Sequence, residues 1–306
     1  MTNREDYVLK KQKKELKPID LKKVKTYSIK KRKNLFKSEQ FGKPIESKDF
    51  NKFIDSLPKV LAANDLRNVI DNIVKAHRKN RPVVLALGAH VIKCGLSPLV
   101  IDLMKRGIIT AVAMNGSGAI HDYEISLIGE TSEDVSHSLK DGSFGMAKET
   151  AEAIQAAAAV PDSGLGRALG NKILKDKNKH RKDSILAVGA QLKIPVTVHV
   201  AVGTDIIHMH PCVSGSDMGE SSHIDFKLLC SVVAGLEGGV WLNVGSAVIM
   251  PEVFLKAITV ARNLGRKVRN FTTVNMDMIQ HYRPQTNVVK RPTTHGYSIT
   301  GHHEIM

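Results

Sequence analysis

Short apolar runs alternate with amphipathic stretches along most of the chain, and this pattern predicts alternating strands and helices. Five runs are short enough to be buried strands: Val83–Leu87, Ile108–Met114, Val196–Val202, Val240–Val244 and Val268–Val274. Helical spacing of apolar residues recurs in six stretches: Phe50–Lys79, Leu96–Arg106, Glu124–Ile128, Ser184–Leu192, Phe226–Leu236 and Val253–Asn263. Strands without polar alternation, each separated by a helix, predict a mainly parallel sheet covered on both faces. The expected fold class is therefore α/β, doubly wound and Rossmann-like.

Glycine and proline mark the ends of several of these helices. Gly107 follows the predicted helix Leu96–Arg106 in the position of a C-cap. The stretch Glu149–Lys179 predicts two helices joined at Pro161–Gly164, because proline cannot continue the first helix and Asp162 or Ser163 can cap the second.

Charge is distributed unevenly along the 306 residues. Residues 1–48 contain 16 Lys and Arg against 6 Asp and Glu, and so supply +10 of the formal net charge of +15. We therefore expect a partly disordered basic arm over residues 1–48 and a single α/β NAD-binding catalytic domain over residues 49–306. The arm is compatible with a solvated tail, with contact to an acidic protein partner or another subunit, or, least favoured, with nucleic acid.

The three cysteines, Cys94, Cys212 and Cys230, are far apart and show no CxxC spacing, so neither a disulfide framework nor a zinc ribbon is indicated. No stretch approaches the roughly 18 apolar residues of a membrane span, and the first residues lack the apolar core of a signal peptide. These features predict a cytoplasmic protein without a membrane anchor.

Three glycine-containing turns directly follow predicted strands: Gly88–Gly95, Asn115–Asp122 and Asn243–Glu252. In doubly wound sheets, ligands bind where strands end, and helix N-termini favour anions there. None of the turns matches GxGxxG. The glycines in these three segments therefore indicate one of two things. They belong to a phosphate or dinucleotide site, or the turns are tight and need glycine for a positive φ.

The segment "LGAHVIKCGLSPLVIDLMKRGIITAVAMNGSGAIHDYEI" resembles the first glycine turns of the deoxyhypusine synthase family. The segments "SILAVGAQLKIPVTVHVAVGTD" and "GGVWLNVGSAVIMPEVFLKAITVARNLG" are similar to later parts of that family, so the resemblance runs from Arg81 to the end of the sequence. The loop "NGSGAIHDYEISLIG" also resembles that of the ornithine cyclodeaminase domain of arginine-guanidine-removing enzymes. Both resemblances imply an NAD-binding fold.

The resemblance also implies site residues by position. Those expected to bind NAD are Ala89, His90, Val91, Ile92, Lys93, Asn115, Gly116, Ser117, Gly118, Asp205, Gly245 and Ser246. Asp122 is a catalytic candidate that would accept ribose hydroxyls or orient a substrate amine, or else it stabilises a helix N-terminus. His121 and Arg283 are candidates for binding substrate.

Deoxyhypusine synthases form an imine through a lysine near the C-terminus, and Lys290 is the candidate here. Such a lysine must be neutral, which requires burial or a cationic neighbour such as Arg291. Val288 and Val289 stand where the family has a tryptophan and a glutamate, and Met250 with the following proline replaces a histidine pair. The sequence also stops at "TGHHEIM", where a closing helix would begin in that family. We do not expect authentic deoxyhypusine synthesis.

Histidines cluster instead in "HVAVGTDIIHMHP". On a strand, His208 and His210 would share one face, and they are candidates for general acid–base catalysis, for a metal site with Asp205, or for a structural role. We assign them as catalytic candidates and expect no bound metal.

The leading hypothesis is an NAD-dependent enzyme that acts on a C–N bond of a small amine or amino acid, by transfer or elimination through a transient imine. The alternatives are an ornithine cyclodeaminase-like enzyme, a catalytically inactive NAD-binding protein whose arm docks a partner, and a metal-dependent hydrolase. Relatives of this kind imply a homo-oligomer.

Overall fold

The computed structural model describes residues 50–306, which belong to one compact unit. The predicted basic arm over residues 1–48 lies outside the described residues. Within the described part of the chain, no helix is both long enough and apolar enough to cross a bilayer.

Six strands form a single sheet in which every neighbouring pair is parallel. They are β1 (Val83–Leu87), β2 (Ala111–Asn115), β3 (Val196–His199), β4 (Val240–Val244), β5 (Thr272–Asp277) and β6 (His295–Thr300). Their order is β3-β2-β1-β4-β5-β6. This is the order of the Rossmann fold, so the predicted fold class is confirmed.

Twelve α-helices connect or flank the described strands: α1 (Phe50–Ser56), α2 (Leu61–Arg78), α3 (Ala89–Lys93), α4 (Ser97–Lys105), α5 (Gly116–Ile128), α6 (Val135–Ser138), α7 (Lys148–Ala158), α8 (Leu165–Lys175), α9 (Ile185–Leu192), α10 (Gly215–Ala234), α11 (Ile249–Asn263) and α12 (Tyr282–Pro284). Short 3-10 helices lie at Arg181–Asp183 and Ile206–Met209, and a π-helix lies at Gln285–Lys290.

Two apolar cores cover the two faces of the sheet. One core packs Leu85 and Val112 against helices on the side of α5 and α9. The other centres on Trp241, whose ring stacks on that of Phe254 in α11 with centroids 4.1 Å apart. Both aromatic side chains are fully buried. This two-faced burial explains why the central strands are continuously apolar.

Several predicted boundaries are corrected by local hydrogen bonds. Strand β2 begins three residues after Ile108, because the amides of Ile108 and Ile109 bond to the Leu103 carbonyl at the end of α4. Strand β3 ends at His199, because the following amide of Val200 turns to Ser222 Oγ. The apolar residues of these predicted strands therefore lie partly in loops.

Four further differences concern helices and the last strand. The predicted helix Phe50–Lys79 is divided into α1 and α2 by a break that contains Pro58. Helix α10 starts at Gly215, eleven residues before the predicted Phe226. Two helices do lie within Glu149–Lys179, but the second is capped by Gly164 rather than by Asp162 or Ser163. Strand β6 was not predicted, because "HGYSIT" has no apolar run.

Candidate functional site

The strand order reverses between β1 and β4, and the turns that follow these two strands touch. The Gly88 amide donates to the Val244 carbonyl over 2.9 Å. A Cβ atom on Gly88 would lie 2.0 Å from the carbonyl oxygen of Gly245, so only glycine allows this approach. In doubly wound sheets, the crevice at such a reversal is where dinucleotides bind. Ser246, next in the β4 turn, accepts a hydrogen bond from the Met250 amide and so begins α11.

A buried histidine from the end of the chain forms one wall of this junction. His303 is 4% exposed, and neither of its ring nitrogens has a hydrogen-bond partner. Its Nε2 lies 3.7 Å from Asp277 Oδ1, at the end of β5, and its ring packs edge-on against that of His90, with centroids 5.2 Å apart. A buried polar atom without a partner is costly, so His303 has unused hydrogen-bonding capacity at the point where the sheet reverses.

The predicted NAD residues on α3 do not all face this junction. Ala89 and His90 are half-buried at the start of α3, and Lys93 is exposed at its end. Val91 and Ile92 are each 3% exposed and belong to the apolar core. Those two side chains therefore pack the helix against the core, and contact of these two residues with NAD, which stays a prediction, would have to use their backbone.

The carboxylate of Asp205 lies against the turn after β2. Asn115 Oδ1 accepts from the Gly118 amide over 2.9 Å and caps α5. The Asp205 carboxylate accepts from Ser117 Oγ over 3.3 Å, and a Cβ on Gly116 would lie 2.1 Å from Asp205 Oδ2. Its other hydrogen bond, 2.8 Å long, comes from the Ala201 amide.

The expected contact of Asn115, Gly116, Ser117, Gly118 and Asp205 with NAD stays a prediction. A protein carboxylate occupies the place that an anion takes at a helix N-terminus. Burial raises the pKa of Asp205, and the hydrogen bonds from Ala201 and Ser117 oppose that rise.

A cleft of about 550 Å³ opens beside α5 on the same edge of the sheet. Lys93, His121, Glu124 and Thr131 line it, together with apolar side chains such as Phe144. The volume falls within the range of small-molecule sites. The cleft thus brings the predicted substrate residue His121 together with Lys93.

A hydrogen-bond chain fixes His121 in this cleft. Thr131 Oγ1 donates to Glu124 Oε2, and His121 Nδ1 lies 2.6 Å from Thr131 Oγ1. Because the single threonine hydrogen goes to Glu124, the network assigns the imidazole hydrogen to Nδ1 and leaves Nε2 as an acceptor. Burial raises the pKa of Glu124, but hydrogen bonds from His121, Thr131 and Thr150 outweigh it, so the pKa lies below its ordinary value.

Asp122 does not face either the cleft or the junction. It is fully buried, and its carboxylate accepts from Ser184 Oγ and from the amides of Ile185 (2.7 Å) and Leu186 (3.1 Å). Burial raises its pKa to about 6, against the effect of these hydrogen bonds. Both oxygens are therefore used to cap α9, which corrects the predicted catalytic or ligand-binding role.

His208 and His210 do not share a strand face, because Ile206–Met209 is a 3-10 helix. His208 Nδ1 lies 3.0 Å from the Asp205 carbonyl, while its buried Nε2 has no partner. His210 Nε2 lies 2.7 Å from the Gly145 carbonyl and ties down that loop. Among residues 50–306, no three His, Cys, Asp or Glu side chains are placed to hold a metal ion.

Lys290 lacks the burial that an imine-forming lysine requires. It is exposed at the end of the π-helix, five residues before β6 begins. It therefore lies towards the amino edge of the parallel sheet, opposite the glycine turns. Its predicted role as the imine-forming residue therefore has no support from burial. Arg283 pairs at 3.3 Å with Glu252, which is at the start of α11.

Three residues of the carboxyl edge and its surroundings, Glu124, Thr131 and His303, were not predicted from the sequence. Glu124 and Thr131 had a weak signal, since the spacing of His121 and Glu124 places both on one face of a helix. His303 had no signal, because its position depends on β6, which was not predicted.

No protein-family model matches the sequence, and no curated protein matches it. Similarity to solved structures is clear. A conserved protein of Methanococcus maripaludis S2 described as LOR/SDH matches with a TM-score of 0.51 and 14% identity, over 81% of this chain and 67% of that chain. AgrE in a ternary complex with ornithine and NAD+ matches with a TM-score of 0.51 and 13% identity, over 79% of this chain and 31% of AgrE.

The chain has the fold of these proteins. It spans about a third of the length of AgrE. A protein of Entamoeba histolytica described as a deoxyhypusine synthase also matches, with a TM-score of 0.43 and 14% identity, over 76% of this chain and 87% of that chain. The predicted resemblance is confirmed at the level of the fold by the first two matches, each with a TM-score of 0.51.

Proposed function

We propose that the chain binds NAD at the junction of the β1 and β4 turns and acts on a C–N bond of a small amine or amino acid. The observation that carries the proposal is the contact of the Gly88 and Gly245 turns at the reversal of the strand order, beside the unpaired ring of His303. The AgrE structure, which has this fold and holds ornithine and NAD+, supports the choice of cofactor and ligand class.

The residues at the junction fit such a ligand. Gly88 and Gly245 present backbone without side chains, and Ala89 and Ser246 follow them in the two turns. His303 offers a hydrogen-bonding group that the protein itself leaves unpaired. When bound, NAD would supply a hydride acceptor for the carbon that bears the amine.

The cleft beside α5 supplies groups for an amine or amino acid. His121 Nε2 is held as an acceptor by the chain through Thr131 to Glu124, so it can take a proton from an ammonium group. Lys93 carries a positive charge on the wall of the same cleft, where it can pair with a substrate carboxylate. Lys93 belongs to the helix that follows the β1 turn, so the cleft adjoins the proposed cofactor site.

Thermal melts of the full chain with and without NAD+ test the cofactor. A ligand at 100 times its dissociation constant stabilises the native state by about 2.7 kcal/mol. For a domain of this size, that corresponds to a rise in Tm of roughly 4 to 5 °C. No shift at millimolar NAD+ or NADH would refute the proposal for this protein.

A pair of variants localises the site. His303→Leu removes the unpaired ring nitrogens while keeping similar bulk, and we expect it to reduce the NAD-induced shift. His137→Leu changes an exposed histidine on α6 and serves as the control. Formation of NADH with ornithine and other amino acids then tests the reaction, and we expect His121→Ala to lower the rate without changing the NAD-induced shift.

A further inference from the structure

The loops that precede β1 and β5, together with the end of α2, carry a concentration of cations. We call this surface the basic edge and define it by Lys75, Lys79, Arg81, Arg266, Lys267 and Arg269. All six side chains are exposed. Among residues 50–306, none of the six takes part in a salt bridge, although five other lysines and arginines do.

Two shallow hollows lie on this edge, on either side of the loop that enters β5. One, of about 400 Å³, is lined by Arg266, Lys267 and Arg269 with Arg262 and Gly265. The other, of about 390 Å³, includes Lys75, Lys79 and Arg81. Strands β1, β4 and β5 are neighbours about 4.8 Å apart, so the backbones of β1 and β5 are roughly 10 Å apart across the sheet, and the loops that carry these cations enter it at the same edge.

One acidic side chain lines the hollows, and it is already engaged. The Glu237 carboxylate accepts from the amides of Arg269 and Asn270, at 2.6 and 3.0 Å, and from Asn270 Nδ2 at 3.1 Å. The hydrogen bond from the Arg269 amide is the largest cause of its lowered pKa. Glu237 therefore shapes the loop, and of the six cations the charge of Lys267 also helps to lower the pKa of Glu237, as a smaller cause than the hydrogen bonds.

The helix dipole does not account for the whole basic edge. Lys75 lies in the last turn of α2, where a cation is favoured in any case. Lys267 and Arg269 lie beyond the end of α11, in a loop. Their clustering thus points to an anionic ligand that the described residues do not provide.

The lining of the two hollows distinguishes between classes of partner. Stable protein interfaces have an apolar, often aromatic, core. The one large apolar side chain in these linings is Phe271, which is 3% exposed and so cannot serve as an anchor. Stacking of unpaired bases would also require exposed aromatic rings. Phosphate groups of a duplex require cations alone.

We propose that the basic edge binds double-stranded nucleic acid through its phosphate groups, without reading base sequence. This binding would use the amino edge of the sheet, opposite the glycine turns, and it does not depend on the proposed cofactor. Residues 1–48 add further positive charge in the full chain.

The test is fluorescence anisotropy of a short labelled DNA duplex with the full chain over a series of salt concentrations. We expect Kd to rise with salt, with a slope of log Kd against log salt of about 0.9 for each phosphate contact. The triple variant Arg266→Gln, Lys267→Gln, Arg269→Gln should lower that slope by about 2 to 3 and weaken binding at least tenfold at low salt.

The matched control is Lys140→Gln, Lys175→Gln, Lys182→Gln, which removes the same charge from three exposed lysines that line neither hollow. It should keep the wild-type slope. Equal losses in both triple variants would overturn the proposal, because binding would then follow net charge alone. Tighter binding of a polyglutamate peptide than of the duplex would also overturn it, in favour of an acidic protein. Circular dichroism of each variant checks that the fold is intact.

Discussion

A buried carboxylate, Asp225, is expected to make the stability of the protein fall as pH rises. It lies on α10, is fully buried, and joins two other elements of the fold. Its Oδ2 accepts from the amides of Gly166 (2.9 Å) and Val198 (2.8 Å), whereas Oδ1 has no partner. A Cβ on Gly164 would lie 1.9 Å from Oδ1, so glycine is required there.

Burial raises the pKa of Asp225 from 3.8 to about 7, although the two amide hydrogen bonds oppose the rise. The native protein therefore keeps a proton that the unfolded chain loses above pH 4. The free energy of unfolding contributed by this group is greatest at low pH and declines as pH rises towards 7. At about 1.36 kcal/mol per pKa unit, the decline between pH 5 and pH 8 is about 2.5 kcal/mol.

Urea denaturation of the wild type and of Asp225→Asn at pH 5 and pH 8 measures this decline. Asparagine keeps an acceptor for the two amides but carries no charge. The decline of about 2.5 kcal/mol in the free energy of unfolding between pH 5 and pH 8 should therefore be absent from the variant. The new amide group lacks an acceptor and costs about 1–3 kcal/mol at both pH values, which leaves the pH difference unaffected.

Contributions from other groups, including Asp122, are common to both proteins and cancel in the comparison. Asp162→Asn, at an exposed aspartate in the loop before α8, is the control for removal of one charge. If Asp225→Asn shows the same change from pH 5 to pH 8 as the wild type, the carboxylate is ionised in the native state and the reasoning fails.

Three further predictions concern stability. Asp122→Ala should lower the free energy of unfolding by at least about 2 kcal/mol in urea titrations, because Ser184 and the amides of Ile185 and Leu186 lose their acceptor. Gly116→Ala should lower Tm, since its Cβ would meet Asp205, whereas Gly219→Ala in α10 meets no atom within 4 Å and should stabilise by about 0.5–1 kcal/mol. His303→Leu should raise Tm in the absence of ligand, because it removes two buried nitrogens without partners.

The central part of the sheet could be predicted because each strand is buried on both faces. Val83–Leu87 and Val240–Val244 were predicted with their observed bounds, since in both strands the apolar run and the hydrogen-bonded ladder coincide. The edge strand β6 could not be predicted, because its partly exposed residues do not form an apolar run. The order of the strands depends on packing across the sheet and has no local signal.

The residues of the site were harder to predict, because the decisive contacts join distant parts of the chain. Asp205 is 88 residues from Ser117, and Asp225 is 59 residues from Gly166. In the sequence, each of these acids has the same appearance as a ligand-binding carboxylate. Only the burial of the two carboxylates and their hydrogen-bond partners in the structure show that Asp225 joins α8 to β3 and that Asp122 caps α9.

The position of Asp205 also explains why the three glycine turns are not equivalent. A helix N-terminus attracts one anion, and at α5 the protein supplies that anion itself, so a ligand phosphate there would have to displace a buried carboxylate that accepts two hydrogen bonds. At the β1 and β4 turns, the backbone of two glycines lies beside His303, whose Nε2 is 3.7 Å from Asp277 Oδ1, and that oxygen accepts from the Met278 amide rather than from either turn. An anion at the reversal of the strand order therefore displaces no carboxylate from a turn amide, unlike an anion at the turn after β2.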